Sequence, residues 1–324
     1  MNTGTTTDDA ADRTDTSGRP GPGGFSPATV AALARAGLDP ADVARVVAVA
    51  LAEDLRDGPD VTTMATVPVD LWAEADLTPR EPGVIAGVAV VMAVFDAATD
   101  GAVRVEALLT DGDRLVPGEP ALRVQGPARA MLTAERTALN LLTHLSGIAT
   151  ATRAWVDAVA GTDARVRDTR KTLPGLRALE KYAVRCGGGV NHRMSLGDAA
   201  LIKDNHVMAA GSVRQAIAAV RSLDPHTPLE VEVDTLQQLD EALAEGVPLV
   251  LLDNFSLADT REAVRRAAAR SPRIALEASG GLTLRRAAEV AATGVDYIAV
   301  GALTHSAPAL DLGLDLRTSL SPAR

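Results

Sequence analysis

The sequence predicts an α/β protein: a small N-terminal α+β domain followed by an incomplete α/β barrel of six to seven strands. Three observations lead there. From about Arg165 onward, short branched apolar runs alternate with helical stretches, the pattern of a parallel sheet wrapped by helices. Polar residues with chemical potential fall at or just after nearly every one of those runs. The glycine fingerprint of an open nucleotide-binding sheet is missing, because Cys186-Gly187-Gly188-Gly189 fails G-x-G-x-x-G at His192 and no G-x-x-x-x-G-K occurs.

In chain order, residues 1–24 are Thr, Asp, Gly and Pro with almost nothing apolar, so a disordered extension is expected. The first domain is expected over 25–139. Apolar positions Val43, Val46, Val47 and Leu51 give an amphipathic helix over 40–55, which ends before Asp57-Gly58-Pro59. Strand-like segments follow over 67–77 and 103–109, and Asp111-Gly112-Asp113 with Pro117-Gly118 punctuates a hairpin-like stretch. A long helix begins near Pro127 and passes His144. It sets Arg136, Asn140 and His144 on one face, which is either a solvent face or one that meets a partner or ligand.

The barrel domain is expected over 140–304, with 305–324 packing back on the first domain. Strand runs at 165–167, 200–202, 229–233, 248–252, 273–276 and 296–300 alternate with helices at 212–223, 235–244, 257–269 and 284–292. At the strand ends stand Arg170 and Lys171, Lys203 and Asp204, Glu232 and Asp234, Asp253 and Asn254, Ser279-Gly280-Gly281, and Gly301. These groups meet in one place only if the strands form a ring with the site at its C-terminal mouth.

Composition narrows the chemistry. The 324 residues are 47% apolar with a formal charge of -10, an acidic globular chain long enough for about two domains. A single cysteine, Cys186, excludes an internal disulfide and a cysteine-built zinc site and suits a reducing, cytoplasmic home. The longest apolar run, 84–95, is shorter than the ~20 residues a bilayer span needs, and the polar N-terminus lacks a signal peptide's apolar core. Net acidity and only seven aromatic residues argue against nucleic acid. Yet residues 165–204 carry nine Lys or Arg against four acids, and all three lysines of the chain (Lys171, Lys181, Lys203) lie there. A basic focus inside an acidic protein fits a small polyanion; Arg177, Lys181 and Arg185, at helical spacing, read better as a solvated face.

Within that window, Arg170 and Lys171 form a cation pair ahead of a helix whose first turn contains Pro174, and Gly187-Gly188-Gly189-Val190-Asn191-His192-Arg193 follows. The glycines suit either a close backbone approach to a ligand or a mobile linker. Lys203 at a strand end suits a Schiff-base nucleophile, a carboxylate clamp or an ion-pair partner, and spacing does not choose. Glu230, Glu232 and Asp234 share one strand face; inside a barrel they would repel one another unless cations, a metal or developing positive charge meet them, and outside it they would be ordinary surface. Asp253 ends a buried apolar strand. Ser279-Gly280-Gly281 ahead of a helix has the make-up either of an anion-binding N-terminus, with Gly301 completing the cup, or of a turn and N-cap that serve structure alone.

Taken together, the segments Asp168-Thr169-Arg170-Lys171-Thr172-Leu173-Pro174-Gly175, 187–193, Ile202-Lys203-Asp204-Asn205-His206, Glu230-Val231-Glu232-Val233, Leu252-Asp253-Asn254-Phe255 and Glu277-Ala278-Ser279-Gly280-Gly281 closely resemble the quinolinate phosphoribosyltransferase family, also called nicotinate-nucleotide pyrophosphorylase (carboxylating). The resemblance covers roughly residues 28–317 and leaves out the polar head. It implies transfer from phosphoribosyl pyrophosphate to quinolinate with decarboxylation, giving nicotinate mononucleotide, pyrophosphate and CO2 with Mg2+ in de novo NAD synthesis. Arg170, His192, Arg193 and Lys203, with Thr169 beside them, would then bind the quinolinate carboxylates, joined by Arg136 from the neighbouring subunit of a homodimer. Lys171 would meet the pyrophosphate. Glu232 and Asp253 would hold the ribose hydroxyls and Mg2+, mostly through substrate or water, and stabilise the reacting centre. Ser279, Gly280 and Gly301 would cradle the 5′-phosphate with His305 nearby, and Lys203 is the hypothetical donor of the proton to the ring carbon. Competing readings are a molybdenum-transport-associated paralogue of the same fold, a Schiff-base aldolase acting through Lys203, and a phosphate-ligand sensor without turnover.

Overall fold

In the computed structural model, which describes residues 22–318, the N-terminal domain starts with two capped helices. Ser26 caps α1 (Pro27–Arg35) and Asp39 caps α2 (Pro40–Asp54), and each helix opens on a proline whose missing N–H costs nothing in the first turn. Helix α3 (Val61–Thr66), capped by Asp60, leads into β1 (Trp72–Pro79), β2 (Gly83–Val84), α4 (Val88–Thr99), β3 (Arg104–Ala107), β4 (Arg114–Leu115) and β5 (Leu122–Pro127). Then comes α5 (Ala128–Ala158), a 31-residue helix that crosses the 139/140 boundary read from the sequence, so both domains share one element.

The barrel follows as β6 (Arg165–Arg167), α6 (Arg177–Cys186), β7 (Ala200–Ile202), α7 (Asp204–Ala210), α8 (Val213–Leu223), β8 (Leu229–Val233), α9 (Leu236–Ala244), β9 (Leu249–Asp253), α10 (Leu257–Ala268), β10 (Ala275–Ser279), α11 (Ala287–Ala291), β11 (Tyr297–Ala299) and α12 (Ala302–His305). Strand β12 (Leu312–Thr318) returns to the first domain and pairs antiparallel with β1, giving the sheet β12-β1-β5-β3. The barrel sheet runs β6-β11-β10-β9-β8-β7, parallel throughout. That order is the chain order taken cyclically and opened once, between β6 and β7. At the opening Val190 makes a single parallel bridge to Arg167. Six strands therefore form a ring with one seam, and their C-terminal ends share one mouth.

Several expectations change. The disorder expected over 1–24 lies outside the described residues as far as 21, but Pro22–Gly24 forms a short 3-10 turn next to the fully buried Phe25, which anchors it. The strand expected from 67 starts at Trp72. The turn at 111–120 lies, as expected, in the connection of an antiparallel pair, β3 with β5, and the short β4 inside that connection pairs with β2. There Asp111 accepts from the amides of Gly87 and Val88 and so caps α4, where Gly87 sits at φ 112. Pro174 belongs to the turn before α6 rather than to its first turn, and the helix expected over 284–292 is a 3-10 turn (Leu284–Arg286) followed by α11. Gly187 and Gly189 are neither a linker nor a ligand approach. A Cβ on either would come within 2.5 and 2.8 Å of Thr152 on α5, so these glycines let the seam segment lie against that helix. Among the described residues, no helix is long and apolar enough to cross a membrane.

Candidate active site

Residues at or just beyond the C-terminal end of every barrel strand line one cavity of about 430 Å³. It is lined by Thr169, Arg170, Lys171, His192, Arg193, Lys203, Glu232, Asp253 and Ser279, with Glu277, Leu201, Leu251 and Ala299 completing the wall. All nine of the first group were candidates from the sequence. Gly301 and His305 join them at the rim: a Cβ on Gly301 would lie 2.9 Å from Lys171 Cδ, 3.4 Å from Thr169 Oγ1 and 3.6 Å from His305 Nε2. Gly280 (φ 86) adjoins a second hollow that Ser279 shares, and a Cβ there would meet Asn254 Oδ1 at 2.3 Å, so only glycine fits. Arg136 is not brought in. It is exposed on α5 and lines a groove with Asp54, Asp57, Asp60 and Thr133.

The cations are held with bonding capacity to spare. Arg193 donates to the Ala199 carbonyl at 2.7 Å, while its buried Nε, like that of Arg170, has no partner. Burial first, then the neighbouring Arg170 charge, lowers the Arg193 pKa. Two desolvated guanidiniums side by side are favourable only when anions meet them. Lys203 Nζ donates to Glu232 Oε2 at 2.5 Å and is 45% exposed. The other Glu232 oxygen, and the Asp253 oxygen not bonded to Asn254, have no hydrogen-bond partner among the described residues. Such free carboxylate oxygens facing a polyanion cavity are the donor type Mg2+ prefers, and they fit it.

Beneath this layer lies one that sequence reasoning misjudged. Lys181, read as part of a solvated face, is fully buried in an ion pair with Asp168 and also donates to the His192 carbonyl at 2.9 Å. Burial pushes its pKa down against the pull of Asp168. Asp168 in turn accepts from the His192 amide at 2.8 Å and from Asn191 Nδ2 at 2.5 Å, which fixes the backbone that carries His192 and Arg193. Of the two companions of Lys181 on the helix, Arg185 is exposed as expected and donates to Asn191 and the Ala36 carbonyl, while the half-buried Arg177 donates to Thr172 and the Met194 carbonyl. His192 itself accepts from the Arg193 amide at Nδ1 (2.8 Å), and its Nε2 lies 2.7 Å from Glu230 Oε2, so both ring nitrogens are engaged within the protein.

Glu230, Glu277 and Arg167 were not assigned a site role from the sequence. Arg167 donates to Glu277 Oε2 at 2.6 Å and lies 4.4 Å from the Tyr297 ring centroid. Burial, then the charge of Glu230, pushes the Glu277 carboxyl up to about 7 against the opposing pull of Arg167 and His192. A charged residue inside Ala275-Leu276-Glu277-Ala278, an otherwise apolar strand, was the available signal.

A seamed barrel whose strand ends gather cations, two acids and a glycine-lined hollow in one mouth has the charge layout of a protein that acts on polyanionic small molecules. Comparison with known proteins makes this specific. Residues 148–315 match the C-terminal domain of quinolinate phosphoribosyl transferase and residues 60–146 its N-terminal domain; the chain belongs to that family. It is 62% identical over 269 residues to the nicotinate-nucleotide pyrophosphorylase [carboxylating] of Mycobacterium leprae, covering 82% of this chain and 94% of the relative. To quinolinate phosphoribosyltransferase [decarboxylating] 1b of Nicotiana tabacum it is 39% identical over 296 residues, covering 86% and 84%. The crystal structure of NadC from Streptococcus pyogenes superposes with a TM-score of 0.82 at 40% identity, covering 87% of this chain and 99% of that one.

Proposed function

We propose that this protein transfers the phosphoribosyl group of phosphoribosyl pyrophosphate to quinolinate and decarboxylates the product, releasing nicotinate mononucleotide, pyrophosphate and CO2. The observation that carries the reading is the convergence of Arg170, Arg193 and Lys203 with Glu232 and Asp253 in one cavity, a charge layout suited to a dicarboxylate beside a pentosyl diphosphate. The unpartnered Nε groups of Arg170 and Arg193 receive the quinolinate carboxylates, with Lys203 and Thr169 alongside. His192, with both ring nitrogens engaged, shapes that pocket and orients Arg193.

The ring nitrogen attacks the anomeric carbon as pyrophosphate departs toward Lys171. Glu232 and Asp253 hold the ribose hydroxyls and offset the positive charge that develops there. Ser279, Gly280 and Gly301, with His305, seat the 5′-phosphate. Mg2+, held by Glu232 and Asp253 mostly through substrate or water, neutralises pyrophosphate charge when bound. N-alkylation makes the pyridinium an electron sink, so the adjacent carboxylate leaves as CO2 and the electron pair left on the ring carbon takes a proton, for which Lys203 is the candidate donor. Arg136 completes the carboxylate site from a second subunit, which explains why one chain leaves it exposed on α5. A homodimer in the cytoplasm follows from this reading.

The test is product release from purified protein supplied with quinolinate, phosphoribosyl pyrophosphate and Mg2+. Equal amounts of CO2 and nicotinate mononucleotide, absent when nicotinate replaces quinolinate, are expected; a folded dimer that makes neither product overturns the proposal.

A further inference from the structure

The least explained feature of the cavity is its floor. His192, Glu230 and Glu277 are all buried, with ligand atoms within 4.8 Å of one another, and one oxygen of each carboxylate is buried without a hydrogen-bond partner, that of Glu277 lying 3.8 Å from His192 Nε2. The charge count there does not close. His192 takes the Arg193 amide proton at Nδ1, so in the neutral ring Nε2 carries the hydrogen given to Glu230. Against two carboxylates stand Arg167, already bonded to Glu277 at 2.6 Å with Tyr297 beneath it, and the charge of Arg193, which is felt by Glu230 but is the charge the ligand site above must use. One negative charge too many would then lie under Arg170 and Arg193, in the place where the ligand's own carboxylates must bind. A metal ion could meet the same three side chains, but the Arg167 guanidinium on Glu277 opposes a second full cation; a proton is the smaller addition.

We propose that Glu277 is a specificity-determining residue that carries a proton when quinolinate binds, leaving the floor neutral so that the charges of Arg170 and Arg193 are available to the dicarboxylate. Arg167, still donating to Glu277, then offsets the one negative charge left on the Glu230–Glu277 pair. The upward push on the Glu277 carboxyl supports this assignment. The inference rests on the functional reading above, and its consequence is a sign. Above neutrality the free enzyme loses the Glu277 proton, and quinolinate, which binds the protonated form, must bring it back.

Calorimetry of quinolinate binding to the full chain, run in two buffers of different ionisation enthalpy, reads that proton directly. Wild type is expected to take up close to one proton per site at about pH 8 and little at about pH 6, and Glu277→Gln to take up little at either. In steady state the wild-type quinolinate KM rises roughly tenfold between about pH 6.5 and 8.5, with a smaller change in kcat, while the Gln variant stays flat. Wild-type binding without uptake at about pH 8 overturns the proposal, even if the variant does not fold. Equal uptake by a folded Gln variant overturns it too, by moving the proton to another group. Absence of quinolinate binding altogether is a different result, and it removes the functional reading with this one.

Discussion

Lys181 and Lys203 both meet a carboxylate beside the same cavity, and the two pairs are built differently. Lys181 and Asp168 are both 0% exposed, and each has further partners: the His192 carbonyl for the lysine, Asn191 and the His192 amide for the acid. Lys203 and Glu232 are 45% and 15% exposed, and Glu232 keeps an oxygen free. A buried charge is tolerable only when its coordination is complete, and complete coordination leaves nothing for a ligand. The first pair can therefore only fix backbone, holding the segment 190–193 across the barrel seam. The second exchanges partners at little cost, as a site that must bind and release anions requires.

Breaking the sealed pair should have the largest effect on the fold. Lys181→Met strands the Asp168 carboxylate and is expected to cost about 3–5 kcal/mol of stability, read as a lowered denaturant midpoint. Adding Asp168→Asn should return part of that loss by removing the stranded charge. A single variant as stable as wild type would mean that Asp168 finds another partner and that the pair is not what holds the seam. Lys203→Met inverts the pattern. Its stability should stay within about 1 kcal/mol of wild type, whereas turnover falls roughly 10²–10³-fold, CO2 release included. Wild-type turnover in that variant would take Lys203 out of the mechanism.

The same contrast explains what could be read from the sequence. The exposed layer was legible because parallel strands end in water at one mouth: a polar residue after an apolar run, as in Leu252-Asp253 or Ile202-Lys203, has few other reasons to be there. The sealed layer was not. Lys181 follows Arg177 and precedes Arg185 by four residues each, which reads as a basic helix face, while its counter-ion lies off the helix, thirteen residues back in Asp168. Glu277 is matched by Arg167, 110 residues away across the closing strands. Pairings set by ring closure have no local period, so only the tertiary structure reveals them. Gly187 and Gly189 misled for the same reason: their neighbour is Thr152 on a helix the sequence does not connect to them.

Cys186 carries the contrast to a third place and the smallest effect. It ends α6 beside Tyr182, whose hydroxyl donates to Asp111. Burial, then the Asp111 carboxylate, pushes the thiol up to about 12 from 9.0, which cuts the reactive thiolate near neutral pH by about a thousandfold. If burial silences chemistry here as it does at Lys181, alkylation of the native protein at about pH 7.5 should be slower than that of a free thiol by a factor of that order, and unfolding in denaturant should restore the rate. Alkylation of the folded protein at the free-thiol rate would mean that the end of α6 opens readily. The sealed layer would then stop at the Asp168–Lys181 pair on this side and would not extend along the helix.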